Sequence, residues 1–95
     1  MEFEWDDNKA RKNLITHKVS FHEAKTVFSD PISLTIEDPC HSQYELRYII
    51  LGYSEKGNLL VVVHTDRDNV TRIISARKAE PRERRNYEQS IRTHQ

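Results

Sequence analysis

ELRYIILGYS (residues 45–54), LLVVVHTDR (59–67) and VTRIISARKA (70–79) decide the fold of this chain of 95 residues. Three runs rich in Val, Ile, Leu and Tyr, joined by Glu55–Asn58 and by a turn around Asp68-Asn69, read as an antiparallel meander. Upstream, Leu34 and Ile36 alternate with polar neighbours across Ser33–Asp38, which adds a further strand, and Pro39–Ser42 connects it to the meander. Asp30-Pro31 ends a helix before it, because the residue preceding proline is steered away from helical angles. That helix starts at Ser20-Phe21-His22-Glu23, which fits a capping box, and is expected over Phe21 to Phe28. Asp6 or Asp7 offers an N-cap for an earlier helix to about His17, with Ala10, Leu14 and Ile15 on its buried side. Phe3 and Trp5 suit a short edge strand. Downstream, Pro81 fits the first turn of a last helix from Arg82 to about Ile91, docked by Tyr87 and Ile91. The expected order is β-α-α-β-β-β-β-α, one α+β domain over residues 1–95 with helices on a small antiparallel sheet.

Two symmetric even-length turns would fix which side chains share a face. A first turn centred on Lys56-Gly57 and a second on Asp68-Asn69 would put Glu45, Arg47, Tyr53, His64, Ser75 and Arg77 on one face. Arg67 and Arg72 would then lie on the other, and a bulge in either turn would flip one strand's assignment. In that register Arg77 opposes Leu60, about 13 Å along the sheet from His64.

Composition narrows the function. Apolar residues make up 36% and charged residues 32% of the chain, and fifteen basic side chains balance fifteen acidic ones. Leu, Ile, Val and Phe supply about a quarter of the residues, above the ~20% below which chains stay disordered. A thin-cored, highly charged folded domain is expected. Cys40 stands alone, so no intramolecular disulfide can form, and a reducing cytoplasmic setting fits. No apolar run is long enough for a membrane span, the first residues are acidic where a leader would be basic, and two glycines cannot make a phosphate loop. The five histidines show no metal-ligand spacing, so neither metal nor cofactor is expected. The neutral total conceals a split. Residues 1–46 carry five basic and nine acidic groups, whereas residues 47–95 carry ten basic groups, eight of them arginine, and six acidic ones. Arginine's planar fork binds phosphate bidentately, so the second half is where an anionic partner is sought.

Particular residues carry a resemblance. Phe3-Glu4-Trp5-Asp6, Asn13 through His17, Val19-Ser20-Phe21-His22-Glu23-Ala24 and Val27-Phe28-Ser29-Asp30-Pro31 resemble the first half of the BrnT toxin family. Asp38 with His41-Ser42, Glu45-Leu46-Arg47, Gly52-Tyr53-Ser54, Thr65 with Arg67, and Arg72-Ile73-Ile74-Ser75-Ala76-Arg77 followed by Glu83 and Tyr87 resemble the second. Lys18 stands where the family pattern has glycine. The resemblance implies a RelE-like fold and the ribonuclease toxin of a type II toxin–antitoxin pair, which cleaves RNA and stops translation. It further implies a BrnA-like ribbon-helix-helix antitoxin that neutralises the toxin and, in complex with it, represses their operon at operator DNA.

Metal-free RNA cleavage needs a base for the 2′-hydroxyl, a cation for the phosphorane and an acid for the leaving 5′-oxygen. His64 or Glu45 would transfer the proton, and Arg47, Arg67 and Arg77 would contact phosphate. Tyr53, Arg72 and Ser75 would contact the RNA, with His41 a further participant and Tyr48, Tyr53 or Tyr87 available to stack on a base. The same residues also admit plainer roles: a packed strand histidine, a surface ion pair, a core tyrosine. A non-catalytic protein-docking module and a nucleic-acid binder without chemistry therefore stand as alternatives.

Overall fold

The computed structural model describes residues 1–40 and 45–93. Along the chain run β1 (Glu2–Glu4), α1 (Asp7–His17), α2 (Phe21–Lys25) continuing into a 3₁₀ turn (Thr26–Ser29), β2 (Leu34–Glu37), β3 (Tyr48–Tyr53), β4 (Leu59–Arg67), β5 (Val70–Lys78) and α3 (Pro81–Thr93). The element order is the expected one and the class is α+β. One five-stranded sheet has the order β1-β5-β4-β3-β2. Strands β2 to β5 form the antiparallel meander, while β1 takes the free edge beside β5 and runs parallel to it. The sheet is therefore mixed rather than purely antiparallel. No hairpin ties β1 to its neighbour, so local turn chemistry does not dictate its direction.

Local chemistry sets the helix ends. The Asp6 carboxylate accepts the Lys9 N–H at 3.3 Å and caps α1. Lys18 closes that helix with φ 60°, its N–H donating to Leu14 O. That left-handed conformation favours glycine, the residue the resemblance leads one to expect at this position. Ser20 Oγ accepts the Glu23 N–H at 3.0 Å, which is half of the capping box. Glu23 does not complete it: its buried carboxylate accepts from Ser54 Oγ at 2.7 Å and Asn58 Nδ2 at 2.8 Å, clamping the β3–β4 turn.

That turn corrects the register. Ser54 N–H donates to Asn58 O, Gly57 N–H donates to Ser54 O, and Gly57 sits at φ 81°. A three-residue loop with a left-handed glycine replaces the even-length turn, so Tyr48 pairs with His64 and Tyr53 with Leu59. The second turn is as expected, with Asp68 and Asn69 both at positive φ and Arg67 opposite Val70. A bulge between Val63 and His64 then leaves Ile74 over, and Val63 pairs with Ser75 and Val61 with Arg77.

The sheet buries both faces unequally. On one, Ile50, Leu60, Val62, Ile73 and Ala76 pack against Val19, Phe21, Ala24 and Val27 beneath the first two helices, with Phe3, Trp5 and Phe28 around them. Each fully buried aliphatic or aromatic side chain there contributes about 1.5–3 kcal/mol. On the other, Leu51, Leu59 and Val61 pack against Tyr87 and Ile91 of α3, with Leu34, Ile49 and Tyr53 at the margin. Because α3 packs on β3, it covers only one end of that face.

The expectation that Leu14 and Ile15 are buried is corrected: they are 49% and 71% exposed. The inward positions of α1 are Ala10 and the buried Asn13. Asn13 Nδ2 donates to Val19 O at 2.9 Å and Ala76 O at 2.8 Å, and its Oδ1 accepts Ala76 N–H at 3.0 Å. The amide thus pairs with the backbone of β5 beyond the short reach of β1, as a neighbouring strand would.

Candidate active site

The corrected register changes which side chains meet. Odd-numbered positions of β3 and β4 share the face that α3 half covers, and on β5 that face receives Arg72, Ser75 and Arg77. Arg47 continues the ladder beyond β3, its carbonyl accepting the Asp38 N–H at 2.8 Å. Glu45, Arg47, Tyr53, Arg67, Arg72, Ser75 and Arg77 thus lie on one face, where the symmetric-turn register split them between two. Six residue steps along β4 lead from Val61, opposite Arg77, to Arg67, so the arginine row spans about 20 Å.

At the open end Arg67 grips Glu45 through two hydrogen bonds, Nε to Oε1 at 2.9 Å and Nη2 to Oε2 at 2.6 Å. The Arg67 guanidinium, with Thr65 and Arg47 beside it, holds the Glu45 carboxyl down to about 2. Thr65, itself buried, donates its hydroxyl to Leu46 O at 2.7 Å and fixes the chain entering β3. Arg72 lies 3.4 Å from Glu4 of β1.

At the covered end Arg77 makes a second bidentate pair, Nη1 and Nη2 each 2.8 Å from an oxygen of Glu83. Glu83 also accepts the Glu80 N–H at 2.8 Å, capping α3, and the Arg77 bond keeps its carboxyl below the usual range despite partial burial. Arg84 donates to the Tyr53 hydroxyl at 3.0 Å, and Tyr53 meets the buried Tyr87 ring edge-on at 5.3 Å. Tyr87 in turn donates its hydroxyl to Asp30 Oδ2 at 2.7 Å. Asp30 also accepts N–H bonds from Tyr53 at 2.8 Å and Ile32 at 3.0 Å. Burial raises its carboxyl, but these three bonds outweigh that and hold it low. Gly52 permits this knot, since a Cβ there would sit 3.0 Å from both Asp30 Oδ2 and Ser33 Cβ.

His64 is not on this face. It is 5% exposed under the 3₁₀ turn, with the Phe28 ring edge-on at 4.9 Å and the Tyr48 ring stacked at 5.6 Å. Neither ring nitrogen is hydrogen-bonded to a described residue, and Asp66 Oδ1 is 3.5 Å from Nδ1. Burial depresses its proton affinity, with Asp66 opposing only in part. The expected shared face of His64 with Arg77 and with Glu45, Arg47 and Tyr53 is therefore corrected: the bulge puts Arg77 on the opposite side of the sheet from His64, and the three-residue turn does the same for the β3 residues. Tyr48 and Tyr87 are engaged in packing, which leaves Tyr53 as the half-exposed aromatic of the face. His41 lies outside the described residues. Asn13, Glu23 and Asp30, which hold the scaffold of this face, drew no such role from the sequence. Their signal was polarity inside otherwise apolar or capping contexts, and Asp30 read only as a helix stop.

Among the described residues no three His, Cys, Asp or Glu side chains gather as a metal site, and no helix is long and apolar enough to cross a membrane. A comparison with curated proteins gives no match. The crystal structure of the Brucella abortus ribonuclease toxin BrnT is similar with a TM-score of 0.63 at 19% identity, over 84% of this chain and 97% of that one. The model of the family described as "Ribonuclease toxin, BrnT, of type II toxin-antitoxin system" matches residues 5–83. With its fold shared with that toxin and most of its length matched by the family model, the chain belongs to the BrnT family of ribonuclease toxins.

Proposed function

We propose that this chain cleaves RNA without a metal, on the sheet face that α3 leaves partly open, and so stops translation. The observation that carries the reading is the pair of bidentate arginine–carboxylate grips, Arg67 on Glu45 and Arg77 on Glu83, on a row with Arg47 and Arg72. A phosphate presents the same two-oxygen edge to a guanidinium as a carboxylate does, so each arginine is held in a geometry ready for exchange. Both pairs are partly exposed, where an ion pair is worth little and can be displaced.

In the reaction a phosphate takes Arg67 from Glu45, and the freed carboxyl regains basicity as its cation turns to the substrate. Glu45 accepts the 2′-hydroxyl proton, the 2′-oxygen attacks phosphorus, and the bond to the 5′-oxygen breaks, that oxygen taking a proton from water. The product is a 2′,3′-cyclic phosphate. Arg47 and Arg67 stabilise the charge of the phosphorane, while Arg72, Ser75, Arg77 and Tyr53 hold the flanking nucleotides. Proton transfer falls to Glu45 rather than His64 because His64 is buried on the other side of the sheet. A BrnA-like ribbon-helix-helix antitoxin covers this face in the cytoplasm, and operator DNA is met only through that complex.

Incubation with RNA in EDTA tests the reading. Discrete cleavage ending in 2′,3′-cyclic phosphate supports it. Salt-sensitive binding without cleavage would make the chain a nucleic-acid binder, and neither cleavage nor binding would make it a docking module.

A further inference from the structure

The basic half of the chain continues past the sheet onto α3. Arg82, Arg85, Gln89 and Arg92 follow one another at spacings of three and four, so they form one stripe along the helix. All four are exposed, and none of the three arginines forms an ion pair with a described residue. Arg85, Gln89 and Arg92, with Glu88 and Thr93, line a shallow groove of about 600 Å³. Glu88 is the single carboxylate among the described residues that line it, so the stripe carries an excess of positive charge. The buried side of the same helix is fixed by the Tyr87–Asp30 and Arg77–Glu83 bonds, which holds the stripe on the side of α3 turned away from the sheet. From Arg82 to Arg92 it runs about 15 Å.

We propose that the outer stripe of α3 binds the phosphates of a single RNA strand beyond the scissile site, one phosphate to each of Arg82, Arg85 and Arg92. The inference rests on the reading of the sheet face as an RNA site. Arginines at regular spacing that pair with no described residue are complementary to a regularly charged polyanion, and the stripe sits on the same helix whose Glu83 and Arg84 bond Arg77 and Tyr53 of that face. It enlarges the RNA footprint without adding a group to the reaction.

The test compares the full chain with R82Q/R85Q/R92Q in binding a long single-stranded RNA over a salt series. Each phosphate contact contributes about 0.7 to the slope of log K against log salt for single strands, so the triple variant's slope should flatten by about 2. A control variant, K9Q/R11Q/K12Q, removes three charges from α1 under the opposite face and should leave the slope near that of the unaltered chain. If the α3 variant keeps the full slope, or the control flattens it equally, the stripe is a solvated face or a seat for an acidic protein segment and the proposal is overturned. If the unaltered chain binds no RNA, the reading of the sheet face fails instead, which separates the two results.

Discussion

Replacing Tyr87 by Phe removes one hydroxyl and tests how α3 is held over the sheet. The hydroxyl donates to Asp30 Oδ2 at 2.7 Å from a ring that is 3% exposed. Hydrogen bonds to a charged partner contribute about 1.5–3 kcal/mol. Asp30 keeps its N–H bonds from Tyr53 and Ile32, so its carboxylate is not stranded, and the low end of the range applies. A loss of about 1.5 kcal/mol corresponds to a drop in Tm of roughly 6–12 °C for a domain of this size. The pH dependence has a definite sign. The folded Asp30 carboxyl lies below its ordinary 3.8, so its contribution is present above that value and is lost as pH falls through the folded one. The gap between the variant and the unaltered chain should therefore be full at neutral pH and close in acid. At the other extreme, burial and the Asp30 bond raise Tyr87 above its ordinary 10.0. That contribution is present below 10.0 and is lost as pH rises through the folded value, a loss that the phenylalanine variant cannot show. Thermal unfolding followed by circular dichroism across pH reads all of this. An unchanged Tm at neutral pH, or a gap that persists undiminished in acid, would refute the reasoning.

Three further outcomes follow from the same contacts. Asn13→Ala strips partners from Val19 O and from both backbone groups of Ala76, and should cost about 3 kcal/mol, read as a lower urea midpoint at unchanged m. Lys18→Gly relieves the left-handed strain at φ 60° and should raise stability by about 0.5–1 kcal/mol in the same assay; a loss would contradict it. Glu45→Gln removes the carboxylate that competes for Arg67, so RNA should bind more tightly while cleavage slows, and weaker binding would count against exchange at that arginine.

The elements were legible because their signals are local. Asp6 and Ser20 cap the helices they preface, Pro81 opens α3, and Asp68-Asn69 turn where two positive-φ residues are tolerated. What the sequence hid is parity. Gly57 makes the first loop three residues long and Ile74 bulges out of β5, and each shift of one residue moves a strand's side chains to the other face. The candidate residues were thus divided wrongly between the two faces. Glu45 and Arg67 face each other across two strands, and His64 is packing rather than surface. Asn13 and Asp30 were opaque for a different reason. Their bonds are to backbone groups 63 and 23 residues away, which no local pattern encodes.

The central claim, that arginines of one sheet face act on RNA, is tested most directly by the rate of RNA cleavage in R67A and R77A. Each side chain is partly exposed, so circular dichroism should report an intact fold in both variants. Loss of a cation that stabilises the phosphorane predicts a fall of about 10²–10³ in kcat/KM for R67A, and loss of a contact to a flanking phosphate predicts a smaller fall, of roughly tenfold, for R77A. Cleavage at the full rate by both folded variants would contradict the account.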